Sequence, residues 1–361
     1  MVTILSKKSK RVKMHKIKYY FLNELNFHGR NAGFKARVDA LTVFSSNPGV
    51  QVVNIPLWGG VWSRLKNTIS FLNFILLKLK STDVLFIQYP FPKPFIDMLT
   101  FIIKHRNIKL CLLIHDVDIF RGQGHNKDFK NLTCASFLIS HNERMSVQLN
   151  NVGVTTPKIN LQIFDYILKD KRKILVGGEN SKLNNIIYCG NLDRNKSGFI
   201  YSWGKGNLNR IVYGVNADDD ININNDYRGS FDANFPPEIE NIGRSFGLVW
   251  DGDSINECSG SFGEYLKFNN PHKTSLYLAM GLPVIVWKDA AISQFVKMNG
   301  VGIIVDGLND LERQLELITF AQYSEMLNNV VEVRKKITAG WYLNESINYA
   351  MTLCSENTNM K

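Results

Sequence analysis

The sequence predicts an α/β protein built from two doubly wound halves that face a central cleft. Three observations carry that prediction. Short apolar runs alternate with longer helical patterns, as βαβ units require, and they do so twice along the chain. A charged stretch containing Gly177 and Gly178 breaks the alternation midway. The length, 361 residues, suits two domains of roughly 150 residues each.

In the first half, strands are expected at 18–23, 50–56, 83–89, 109–115, 136–140 and 159–164. Helical patterns lie between them at 34–44, 63–80, 94–105 and 142–150. The stretch 168–185 reads as the joint. Strands resume at 185–189, 209–213, 226–231, 246–250, 283–287 and 302–305, and a helix at 274–280 stops at Gly281. A helix-rich segment follows from 311 to 349. The expected division is a basic leader at 1–18, a first domain at 19–167, a linker at 168–185, a second domain at 186–338 and a final helix and tail at 339–361. In such sheets ligands sit beyond the carboxyl ends of the strands, so the cleft between the halves is the expected site.

Composition narrows the function classes. Residues are 45% hydrophobic and 21% charged, a globular balance. The net charge of +11 points first at nucleic acid or membrane. Its location argues otherwise. Residues 1–18 hold seven bases and no acid, and without them 36 bases face 32 acids. No helix-turn-helix, RNA-recognition or zinc pattern occurs, which argues against nucleic acid. The leader is either a membrane-surface tag or a start-site artefact, since Met14 offers an alternative start. No secretory signal or spanning segment is expected, which points to the cytoplasm, with peripheral membrane contact and a homo-oligomer both compatible. Five scattered cysteines fit neither a disulfide framework nor structural zinc.

Several loops carry candidate chemistry. After the first strand, Glu24, Asn26, Gly29, Asn31 and Gly33 form either a tight strand-to-helix turn or an amide-rich loop suited to sugar hydroxyls. Asp116 and Asp118 follow the fourth strand and are either turn caps or bases toward an acceptor hydroxyl. At 140–143, Asn142 is expected to cap a helix, with His141 secondary. Arg194 and Lys196 beside a glycine turn suit a diphosphate. The run from Asn270 through His272, Lys273, Thr274 and Ser275 opens a helix, where free amides and the dipole attract anions. Asp251 and Asp253 match a metal-binding Asp-x-Asp pattern, but the cationic site makes a metal unnecessary; they are read as donor-sugar or loop-capping groups, and no metal and no other cofactor is expected.

Long ordered motifs add a resemblance. FLNELNFHGRNAGFKARVDAL (21–41), VVNIPLWGG (52–60), LIHDVD (113–118), SHN (140–142), YCGNLDRNKS (188–197) and FGLVWDGDSINECSGSFGEYLKFNNPHKTSLYLAMGLPVIVW (246–287) together resemble the bacterial β-1,6-galactofuranosyltransferases of O-antigen assembly. More distantly they resemble glucosyltransferases that extend glycans on serine-rich adhesins. The resemblance implies the GT-B fold, two Rossmann-like domains with the acceptor mainly on the first and the nucleotide sugar mainly on the second. It implies a UDP-hexose donor, UDP-galactofuranose foremost, an oligosaccharide acceptor carried on lipid, and inversion at the transferred carbon. It also implies that Arg194 and Lys273 contact the UDP diphosphate and that a tyrosine contacts the nucleotide, with Tyr227 preferred to Tyr213. Asp116 is the expected base, with Asp118 and Glu24 behind it.

Overall fold

The computed structural model describes residues 17–25, 32–56, 61–122, 127–169, 184–204, 206–223, 225–238 and 243–359. Six parallel strands form the first sheet: β1 (Tyr19–Leu25), β2 (Val50–Pro56), β3 (Val84–Tyr89), β4 (Lys109–Ile114), β5 (Phe137–Ser140) and β6 (Lys158–Asn160). Their order is β2-β1-β3-β4-β5-β6. The second sheet holds β7 (Asn184–Asn191), β8 (Asn209–Val215), β9 (Asp226–Tyr227), β10 (Arg244–Val249), β11 (Val284–Trp287) and β12 (Gly302–Val305). Its order is β12-β11-β10-β7-β8-β9. Both are doubly wound, as the sequence predicts. Each has a switch point, between β1 and β3 in the first and between β7 and β10 in the second, where side chains can converge on a ligand.

The strands form where they do because parallel sheets are covered on both faces and therefore read as continuous apolar runs. All six residues of β3 are buried, as are the four of β5 and the four of β11. Two expected strands are shorter than their apolar patterns. The 159–164 stretch stops pairing after Asn160 because Gln162 turns the backbone to a φ of 72°. The chain then crosses to the other half, where Phe164 O accepts from Ser275 Oγ (2.7 Å) and Tyr166 N donates to Ile337 O (3.1 Å). The 226–231 stretch leaves the sheet after Tyr227, at the left-handed Gly229, and this turns Phe231 toward the cleft.

The last helix, Trp341–Asn359, returns to the first half. Asn47 Nδ2 donates to Asn344 and Asn348 (2.8 and 3.1 Å), and Tyr19 OH donates to Met351 O (3.1 Å). Asp165 accepts from the amides of Tyr342 and Leu343, so it caps this helix from the crossover. A second strap joins the halves near the cleft floor. Asn270 Nδ2 donates to His141 O and Gln162 O, and its Oδ1 accepts from Asn142 Nδ2 (2.7 Å). Asn142 also caps the helix Glu143–Asn151 by accepting from Met145 N (2.9 Å).

Candidate active site

The carboxyl ends of β4, β7 and β8 open on one cavity of about 410 Å³, within the usual range for small-molecule sites. The first half contributes Asp116 and Arg121, the crossover Tyr166, and the second half Lys196, Lys273 and Tyr213. The floor of the cavity depends on a close strand approach at Gly214. A Cβ there would lie 2.1 Å from Gly190 O, so only glycine keeps β8 against β7 at this level.

Lys273 sits in the first turn of the helix His272–Met280, whose N-cap Pro271 offers no side-chain acceptor. Nζ donates to Asp251 Oδ1 (2.7 Å), Tyr188 OH (2.9 Å) and Trp250 O (2.9 Å) and lies 4.3 Å from the Tyr188 ring centre. Three acceptors fix the ammonium at the wall of the cavity. Lys196 comes from the turn after β7, with its ammonium 4.9 Å from the Phe262 ring centre. The carboxylate of Asp251 raises the Lys196 pKa, but burial and repulsion from Lys273 and Arg121 outweigh it, so the ammonium loses its proton more readily than usual. An incoming anion relieves that repulsion.

Across the cavity, Asp116 Oδ1 is ion-paired with Arg121, whose guanidinium also lies over Tyr265 (4.7 Å). Burial raises the Asp116 pKa above its ordinary value, partly offset by Arg121. Beneath it, His115, His141 and His272 surround Phe164, and burial drives all three toward the neutral form, His141 and His272 to about 3. His272 lines the cavity with a buried, unpartnered Nε2. A neutral imidazole there offers one directed hydrogen bond rather than a charge.

The remaining predicted residues are dispersed. Arg194 begins the short helix Arg194–Ser197 but points away from the cavity, held by Asp218 and Asp220 and stacked 4.2 Å from the Tyr201 ring centre. Asn270 and Ser275 are used up in contacts between the halves, and Thr274 is fully buried with an unpartnered Oγ1. Tyr227 OH donates to Gly214 O (3.0 Å), and Tyr213, edge-on to Phe231 at 5.7 Å, takes the place at the cavity. Asp118 lines a separate cavity of about 170 Å³ with Tyr89, Phe91 and Phe129. Glu24 is buried against Arg37 (3.1 Å). Asn26, Gly29 and Asn31 lie outside the described residues, and Gly33 falls in the helix Ala32–Ser46. Of the Asp251–Asp253 motif, Asp251 holds Lys273 and Asp253 accepts from Ser259 Oγ. Among the described residues no group of three or more His, Cys, Asp or Glu side chains is arranged to hold a metal. Arg121, Tyr166 and Phe231 belong to no motif in the sequence; only the arginine, five residues after Asp116, carries a signal there.

An exposed arginine that already has two carboxylates gains little by exchanging them for a phosphate. Arg194→Ala is therefore expected to weaken UDP binding only a few-fold by calorimetry, far less than removal of Lys273.

The family model for the N-terminal domain of glucosyltransferase 3-like proteins matches residues 18–163, and that for the C-terminal domain matches 186–350. The chain is 40% identical over 329 residues to the β-1,6-galactofuranosyltransferase WbbI of Escherichia coli K12, covering 90% of this chain and 96% of that protein. It is 24% identical over 282 residues to glucosyltransferase 3 of Streptococcus parasanguinis, covering 75% and 79%. In fold it is similar to the lipopolysaccharide outer core galactosyltransferase WaaB (TM-score 0.59, 12% identity, 93% of this chain and 99% of that one). It is also similar to HepE of Anabaena, solved with UDP-glucose (TM-score 0.51, 11% identity, 94% and 100%). With matching models over both halves, a near full-length relative and two doubly wound sheets around one cleft, the chain belongs to the glucosyltransferase 3-like family of GT-B glycosyltransferases.

Proposed function

We propose that the protein transfers galactofuranose from UDP-galactofuranose to a hydroxyl of a lipid-linked oligosaccharide, with inversion and without a metal. The observation that carries this reading is the pairing across one cavity of Asp116 from the first half with Lys196 and Lys273 from the second. The 40% identity to WbbI over nearly the whole chain favours the furanose donor.

In this mechanism the acceptor oxygen attacks C1 of the sugar in line with the leaving phosphate oxygen. The new C–O bond forms as the C1–phosphate oxygen bond breaks, and the acceptor proton passes to the Asp116 carboxylate. UDP leaves with the bonding electron pair. Its growing charge meets the positive charges of Lys273 and Lys196 and the first turn of the helix His272–Met280, all held in place before reaction. Tyr213 and Phe231 offer an aromatic wall for the uracil. Lys273 occupies Asp251, and Asp253 is bound to Ser259, which fits charge neutralisation by cations rather than by a divalent metal.

Offering UDP-galactofuranose, UDP-galactopyranose and UDP-glucose to the purified chain with a lipid-linked acceptor tests the reading. Fastest UDP release from the furanose donor, undiminished by EDTA, is expected. Preferred use of UDP-glucose would move the assignment to the activity named for the streptococcal relative, and loss of turnover in EDTA would overturn the metal-free step.

A further inference from the structure

The first half carries an apolar, basic face whose residues do not line the cavity of the candidate site. Along the helix Val61–Asn73 and the π-helical turn Phe74–Lys78, Phe71, Phe74 and Ile75 are buried while Leu65, Ile69, Leu76 and Leu77 face outward, Leu77 at 79% exposure. Leu65 and Ile69, four residues apart, fall on one stripe of the α-helical part, and Leu76 and Leu77 continue the exposed apolar surface on the π-helical turn. The neighbouring helix Lys93–Arg106 adds Phe101, 65% exposed. The two helices are fastened together. Phe71 meets Phe95 edge-on at 5.2 Å, and the Arg106 guanidinium donates to the carbonyls of Ile75, Leu76 and Leu79 at 2.6–3.0 Å. Large apolar side chains gathered in this way on an outer surface mark an interaction site.

The charges around them identify the partner. Residues 61–82 contain Arg64, Lys66, Lys78 and Lys80 and no acid. Lys104 and Arg106 lie on the neighbouring helix. Lys18, preceded in the sequence by six further bases, is anchored at the same place: its amide and that of Lys80 donate to the two oxygens of Asp83 (3.2 and 3.0 Å). Protein interface cores are depleted in lysine, and a second copy docked through a twofold would set like charges against each other. An apolar stripe flanked by lysines instead matches a helix lying in the headgroup layer of an anionic bilayer. We infer that this face docks the protein on anionic lipid, with Leu65, Ile69, Leu76, Leu77 and Phe101 in the acyl boundary and the lysines on lipid phosphates.

The test is sedimentation of the full chain with vesicles of phosphatidylcholine alone or mixed with phosphatidylglycerol, at low and high salt. Binding to the mixed vesicles at low salt is expected, with weak binding to phosphatidylcholine alone and loss at high salt. Lys66→Ala/Lys78→Ala/Lys80→Ala should lower the partition coefficient about 100-fold. Ile69→Ser/Leu77→Ser should lower it about tenfold or more with an unchanged circular dichroism spectrum. Leu77→Ser alone replaces the double variant if that one fails to fold. Absence of vesicle binding overturns the inference, as does wild-type binding by both variants, which would leave the sequence before β1 solely responsible. A dimer in ultracentrifugation that Leu77→Ser dissociates, without any vesicle binding, would assign the face to a second copy.

Discussion

Lys273→Ala is expected to weaken UDP binding by about 100-fold by calorimetry and to lower kcat/KM at least as much. A charge-assisted contact to phosphate is worth roughly 1.5–3 kcal/mol, and about 2.7 kcal/mol corresponds to that factor. The side chain cannot be replaced by a neighbour, because Asp251, Tyr188 and Trp250 hold its ammonium in one place. The same contacts complicate the simple variant. Removing the cation leaves Asp251 buried without its ion-pair partner, and breaking such a pair costs about 3–5 kcal/mol of stability. Lys273→Met/Asp251→Asn separates the two effects. It removes both charges, so the thermal midpoint should recover most of what Lys273→Ala loses, while UDP affinity stays low. Full recovery of UDP affinity in the double variant would show that Lys273 serves the fold and not the diphosphate.

Where the sequence was legible, the physics was local. Both sheets are legible because their central strands, β3, β4, β10 and β11, are runs of almost wholly buried residues, and the end of the helix His272–Met280 is legible because Gly281 closes it in the left-handed region (φ 86°). The site was less legible because sequence does not give helix phase. Arg194 and Lys196 stand two residues apart, about 200° around a helix, so only one can face the cavity. The acids that turn Arg194 outward, Asp218 and Asp220, lie over twenty residues downstream. Asn270 and Ser275 belong to the run that opens the helix, where an anion is expected, yet the partners of their side chains are in the other half of the chain. Tyr213 rather than the expected Tyr227 reaches the cleft because of the register between β8 and β9, which pairs Val212 with Tyr227.

Asp116→Asn is expected to lower kcat by 10²–10⁴ while UDP affinity stays within about threefold of wild type. The asparagine keeps the shape and can still accept from Arg121, so the cavity stays intact and only the base is lost. The pH profile supplies the sharper criterion. The base must be ionised, so the rate rises with pH through the Asp116 pKa, and burial places that limb above the ordinary 3.8. A slow Asp116→Asn enzyme that still shows the same acid limb would assign the proton transfer to another group. Asp118→Asn is the control closest in sequence. Its carboxylate lines the smaller cavity beside Phe91 and Phe129, so the substitution should leave kcat within a few-fold; because the Asp118 charge raises the Asp116 pKa, its loss moves the acid limb to lower pH without removing it. Glu24→Gln distinguishes a third case. Glu24 holds Arg37, and Arg37 helps keep Asp116 ionised; weakening that ion pair should shift the acid limb without abolishing turnover. Only a group that itself receives the proton removes both the rate and the limb together.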